Sequence, residues 1–284
     1  MSSTLTSDPG SAVRINPSIS AMSATPRTLA SDVTRPIRQS RNGYPTRQIL
    51  VETPGGGAPT MLYLLLFIPP LILGALGQMW VRRAFADGSK VHAASGMTGA
   101  QVARRMLESG GLDVGIESIG GSLSDHYDPR AKVMRLSQPV GNSDTIAAVA
   151  VAAHETGHAF QDARRESMFR MRGSLAPAVG FASQAWFPLV MIGAFTSAGG
   201  TAASPLILIG AAIFAVTVVF QLVTLPVEFG ASRRAMQMLG AQGILMPEEL
   251  PVARKVLTAA ALTYVIGTLI AVYQLAILLL QSRN

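Results

Sequence analysis

Cysteine is absent from the chain, so disulfides and thiolate metal sites are excluded and any bound transition metal must be held by imidazole and carboxylate groups. Histidine is scarce, with four residues, so any clustering of them is informative. Charged side chains make up 14% of the 284 residues against 49% hydrophobic ones, a balance too apolar for an ordinary soluble domain of this length and suited to a membrane protein. Aromatic residues, at 6%, give no stacking platform, and the arginines behind the net charge of +7 flank apolar segments rather than forming one basic run. Both features argue against nucleic acid as a partner and for the lipid bilayer.

Residues 1–60 are rich in Ser, Thr, Pro, Gly and Arg and lack apolar periodicity. They read as a disordered extension, and Met61 is an alternative start directly before the first apolar run. Pro17, Pro26, Pro36 and Pro45 argue against the amphipathic helix of a transit peptide. Residues 61–81 are uncharged for 21 positions, enough at about 1.5 Å per residue to cross a hydrocarbon core of about 30 Å. Pro69-Pro70 predicts a kink in this first span, and Trp80, Arg82 and Arg83 mark its interfacial exit.

Residues 82–172 form a long stretch of mixed polarity and are the place for a globular catalytic domain. Thr98 is the predicted cap of a helix through about Glu108, closed by Gly110-Gly111, with Val102, Met106 and Leu107 on one face. Residues 114–119 and 132–136 read as short strands, and Ser143 as the cap of a long helix from Asp144 to about Arg164. Residues 173–227 then hold 55 positions without a charge, broken at Thr196-Ser197-Ala198-Gly199-Gly200-Thr201, and read as a hairpin of two further spans. Residues 228–255 are polar again, and 256–281 supply a fourth uncharged run of 26. The expected fold is a mainly α membrane protein, with four transmembrane helices and a small α+β, zincin-like domain at the membrane surface. Segments 82–172 and 228–255 lie on the same side, both with arginine at their membrane edges, whereas the hairpin tip carries none. The positive-inside rule places that side in the cytoplasm, although the six arginines of the N-terminal tail pull the other way.

Within the long helix stands His154-Glu155-Thr156-Gly157-His158. Residues four apart share a helix face, so the two imidazoles can meet one metal ion with Glu155 beside it, the HExxH arrangement of zinc hydrolases. A catalytic zinc takes three protein ligands and keeps a position for water. Candidates for the third are His92, His126, Asp162, Glu166 and Glu228. Asp162 shares the histidine face but lies about 12 Å along the axis from His154, which suits a group that orients a ligand better than a ligand. Glu228 is better placed, because it directly follows the third span, where Pro226 can start a helix and an acidic residue is rare enough to suggest a role. With zinc so held, Glu155 is the general base for hydrolysis of a peptide bond. Strand 132–136 is the expected edge for an extended peptide substrate, and His126, Tyr127 and Arg130 are candidate oxyanion or substrate contacts.

Ser95-Gly96-Met97-Thr98-Gly99-Ala100, Asp125-His126-Tyr127-Asp128-Pro129-Arg130, the segment from Ala153 to Gln161 around HExxH, Phe220-Gln221-Leu222-Val223-Thr224-Leu225-Pro226-Val227-Glu228 and Ala261-Leu262-Thr263-Tyr264-Val265 occur in this order. Together they resemble the YugP-type family of neutral zinc metallopeptidases of bacterial membranes, from about Met61 to Leu280. That family is more distantly similar to membrane gluzincins such as HtpX-type and prenyl-protein proteases, whose third ligand is a glutamate on a later helix. The resemblance implies that role for Glu228. Those relatives carry an aspartate one turn further on, where this chain has Ser232, so the orientation of the ligands is the point the resemblance leaves unsupported.

The resulting expectation is a membrane zinc metalloendopeptidase, with protein or peptide substrates. An intramembrane protease is disfavoured, since the apolar run 145–153 before HExxH is nine residues and too short to cross. A non-catalytic zinc-binding scaffold or adaptor is the alternative. A structural site, however, needs four closed ligands and no general base. His92 reads as a solvated linker residue, Tyr264 as packing or an interhelical hydrogen bond, and the arginine clusters as topology signals.

Overall fold

The structure is a computed structural model and describes residues 58–197 and 205–282. The expected disorder of the N-terminal extension therefore falls, up to residue 57, outside the described residues, as does most of the hairpin break. Seven helices and three strands follow in order: α1 (Ala58–Gly88), α2 (Gly99–Ser109), β1 (Gly115–Ile119), β2 (His126–Asp128), β3 (Val133–Ser137), α3 (Gln138–Gly141), α4 (Ile146–Ala163), α5 (Ser167–Ser197), α6 (Pro205–Ala241) and α7 (Leu250–Gln281).

Four of these helices, α1, α5, α6 and α7, contain segments long and apolar enough to cross a membrane. Their outward faces carry exposed Leu71, Phe181, Phe195 and Leu280, while Leu66, Val190, Phe214, Val218 and Leu278 form an apolar core between them. Side chains that are apolar on both faces are stable only where the surroundings are apolar too. Helix α6 is the longest of the four, at 37 residues or about 55 Å, more than a hydrocarbon core of about 30 Å requires, and Pro226 lies inside it rather than at the start of a new helix. Its C-terminal turns, with Ala235 and Leu239, pack on α4.

The surface domain is built on α4. Thirteen of its 18 residues are buried, which makes it a core helix rather than an amphipathic surface one. One face, with Ile146, Val149, Ala150 and Ala153, packs on Val102 and Met106 of α2, Leu239 of α6 and Leu257 of α7. Another, with Ala152 and Ala159, packs on Leu107, Tyr127, Met134 and Leu136. Its many alanines let neighbouring backbones approach closely. At Gly157 the approach is limiting, since a Cβ there would lie 2.7 Å from the carbonyl oxygen and 2.9 Å from the Cα of Ala231 on α6.

Helix α2 starts and ends as the sequence indicates. Thr98 and Gln101 form a reciprocal capping box, Gly110 and Gly111 close the helix, Gly111 with φ 65°, and Val102, Met106 and Leu107 are buried. The cap of α4 differs from expectation. Thr145, not Ser143, occupies the N-cap and accepts from the Ala148 N–H, while the Ser143 hydroxyl donates to Thr145 Oγ1 at 3.1 Å.

The sheet also corrects an expectation. Its order is β1-β3-β2, with β1 parallel and β2 antiparallel to β3. The strand expected at the edge is therefore the central one, because the three residues of β2, hidden among turn-forming neighbours, pair with its far side. Residue 126 stands opposite Arg135 and Tyr127 opposite Met134.

Candidate metal centre

Helix α4 projects His154 and His158 from successive turns, their ring centroids 4.8 Å apart. Helix α6 brings Glu228 against them from the other side of the α4–α6 contact. Glu228 Oε2 lies 3.2 Å from His154 Nε2 and 3.6 Å from His158 Nε2, and the side chain is 1% exposed. The three ligand atoms fall within 4.8 Å of one another. Tetrahedral ligands at the usual zinc distance of about 2.1 Å are separated by about 3.4 Å, so these separations suit that ion.

Each of the three side chains is held by a further group. His158 Nδ1 lies 2.9 Å from Gln161 Oε1, and Gln161 Nε2 donates to the Val227 carbonyl at 2.8 Å. A carbonyl can only accept, so the amide orientation is fixed and His158 Nδ1 must carry the proton it donates. Its Nε2 then presents a lone pair towards Glu228. His154 Nδ1 lies 3.1 Å from the hydroxyl of Ser232, one helical turn beyond Glu228. The position where distant relatives carry aspartate is thus filled by a hydroxyl that does make the contact. Arg172 of α5 pairs with Glu228 Oε1 at 2.9 Å, an ion pair without an aligned hydrogen bond. Two imidazoles and a carboxylate converging in this way make a donor set that fits zinc.

Glu155 sits beside this cluster, and the Tyr127 backbone N–H donates to its Oε2 at 3.1 Å. Burial pushes its carboxyl up to about 7; the charges of Glu228 and Asp125 act the same way, against the lowering effects of His154 and the Tyr127 N–H. The cluster forms the floor of a cavity of about 340 Å³. Asp125, His126 and Tyr127 line one wall. The lining is completed by the long apolar helices: Phe169, Arg172, Gly173 and Ala176 of α5, Phe220 of α6 and Tyr264 of α7.

Other residues singled out from the sequence take different places. His126 is on β2, with Nδ1 2.8 Å from the Ser124 carbonyl, and lines the cavity. The Tyr127 hydroxyl donates to Asp162 at 2.7 Å, and Lys132 also pairs with Asp162, so this carboxylate fastens β2 and the start of β3 to α4 and bonds neither imidazole. Arg130 is not among the cavity-lining residues, and its backbone N–H donates to Asp128. His92 is exposed but pairs with Asp144 at 2.6 Å, and Glu166 pairs with Arg234. Gln161, Arg172 and the cavity position of Tyr264 escaped the sequence reading. Gln161, three residues after His158, was the one with a periodicity signal.

A mainly helical protein with four apolar helices and a buried His-His-Glu cluster beside a glutamate defines the class of membrane metallopeptidases. Residues 63–283 match the family described as "Putative neutral zinc metallopeptidase", and the chain belongs to that family. It is 44% identical over 218 residues to "Putative membrane protease YugP" of Bacillus subtilis (strain 168), covering 76% of this chain and 94% of that protein. No solved structure matches the chain.

Proposed function

We propose that the protein is a membrane-anchored zinc endopeptidase that cleaves protein segments close to the bilayer surface, on the cytoplasmic side. The observation that supports this most is the shared cavity, lined both by the His154–His158–Glu228 cluster and by residues of α5, α6 and α7. A substrate bound there touches the spans and the surface domain at once.

In this reading His154, His158 and Glu228 hold the ion, with Gln161, Ser232 and Arg172 fixing their orientation. Bound zinc supplies a water acidified to a pKa of about 7 and a Lewis acid for the scissile carbonyl. Glu155 takes the water's proton and returns it to the leaving amine. The Tyr127 N–H immobilises Oε2 of Glu155 and leaves the second oxygen for the proton. The edge of β2, which faces Glu155, replaces β3 as the strand along which an extended peptide would lie. His126 at the cavity wall is a substrate contact, and Asp162 supports it indirectly by holding Tyr127.

Two variants test this. Glu155→Gln should keep stoichiometric zinc by elemental analysis and lose cleavage, scored as fragments that vanish from the membrane proteome. Glu228→Ala should lose the zinc. Undiminished cleavage by Glu155→Gln would overturn the peptidase reading, and full zinc retention by Glu228→Ala the ligand assignment.

A further inference from the structure

A second hollow, of about 410 Å³, lies between α6 and α7, and its lining includes Ser232, whose hydroxyl meets His154. Phe229, Leu257 and Ala261 form its apolar part; Arg233, Gln237, Arg254 and Thr258 form its polar rim. The two arginines come from different helices, and among the described residues neither has an ion-pair partner. Other basic side chains nearby are committed: Arg234 to Glu166, Lys255 to Asp87 and Arg172 to Glu228.

Their level along the helices is informative. On α6 the uncharged run ends at Val227, and Arg233 follows little more than one turn after Glu228. On α7, which returns in the opposite sense, Arg254 precedes the start of the uncharged run at Val256. Trp80 of α1 lies in an adjoining hollow with Arg254 and Lys255, and tryptophan favours the headgroup level of a bilayer. In a protein whose four apolar helices cross the membrane, Arg233 and Arg254 thus stand at the height of lipid phosphates, with apolar surface beside them.

We infer that this hollow is a binding site for one anionic phospholipid. The phosphate seats between the Arg233 and Arg254 guanidiniums, with Gln237 and Thr258 as further polar partners, and an acyl chain runs along Phe229 and Ala261. Topology alone explains arginines at this height. It does not explain two arginines from different helices, without an ion-pair partner among the described residues, lining one hollow with an apolar part, whereas charge complementarity to a lipid phosphodiester does.

The test is native mass spectrometry of the full chain in detergent, titrated with phosphatidylglycerol, phosphatidylcholine or inorganic phosphate. The wild type should hold one phosphatidylglycerol in clear preference to phosphatidylcholine. Arg233→Gln/Arg254→Gln should weaken it about tenfold or more at an unchanged melting temperature. Arg82→Gln/Arg83→Gln, which removes the same charge from another interfacial site, should change it less than twofold. Equal loss in both double variants would reduce the effect to general surface charge and overturn the site. So would equal binding of the two lipids, or displacement of phosphatidylglycerol by millimolar inorganic phosphate.

Discussion

Replacing Gly157 by alanine tests whether the α4–α6 contact sets the metal geometry. The added Cβ would meet the Ala231 carbonyl oxygen at 2.7 Å and its Cα at 2.9 Å, both backbone atoms that cannot rotate away. Restoring an ordinary carbon–oxygen contact of about 3.3 Å requires the helices to part by about 0.6 Å. Ala231 is three residues after Glu228 and next to Ser232, so that displacement moves the third ligand and the partner of His154 together. Metal–ligand distances tolerate about 0.2 Å, a third of the displacement. Overpacking of this kind costs about 1–3 kcal/mol in stability, and misplacing outer contacts costs about 10- to 100-fold in metal affinity. In a chelator-competition titration of the purified protein, Gly157→Ala should therefore bind zinc at least about tenfold more weakly and melt earlier. Gly180→Ala, whose Cβ meets nothing within 4 Å, should leave the affinity unchanged and not lower the melting temperature. Wild-type affinity in Gly157→Ala would refute the proposal that this approach positions Glu228.

Two further outcomes follow from the same geometry. Gln161→Leu leaves His158 Nδ1 without its acceptor and the Val227 carbonyl without its donor, and should lower zinc affinity about 10- to 100-fold; Asp162→Ala, which frees Tyr127 and Lys132 instead, should cost clearly less in the same titration. Asp128 is held down at about 2 by the Arg135 guanidinium, helped by the Ala131 and Arg130 N–H groups. Its folded value lies below the unfolded value of about 3.9, so its contribution to stability is complete above that value and is lost as pH falls towards 2. Melting curves should show a drop between pH 5 and about pH 2.5 that is shallower in Asp128→Asn, and identical profiles would exclude this pair as an acid-sensitive contact.

What the sequence disclosed depended on how locally each feature is encoded. The four apolar runs, the Thr98 cap and the helical spacing of His154 and His158 follow from neighbours within a few residues. Glu228 was legible because a charge at the end of an uncharged run stands out and the span count returned it to the right side. Strand β2 was not legible, since three residues between Asp125 and Pro129 carry no measurable alternation and its pairing with β3 is a tertiary fact. Reading 132–136 as an edge strand followed from that omission. Ser143 and Thr145 are both competent caps two residues apart, and the backbone bond from the Ile146 N–H to the Val91 carbonyl helps set where α4 begins. Arg172 and Tyr264 meet the centre from spans that look uniformly apolar or merely basic-edged, so nothing short of the packed bundle reveals them.

The distribution of the ligands along the chain bears on biosynthesis. His154 and His158 emerge from the ribosome together, but Glu228 follows His154 by 74 residues and lies within the second arm of the α5–α6 hairpin. Until that hairpin has inserted and folded back, the nascent chain offers two imidazoles and a glutamate with no third ligand. On the proposed peptidase reading, the chain would be inert until then. Completion of the metal centre is thereby coupled to the packing of α6 against α4.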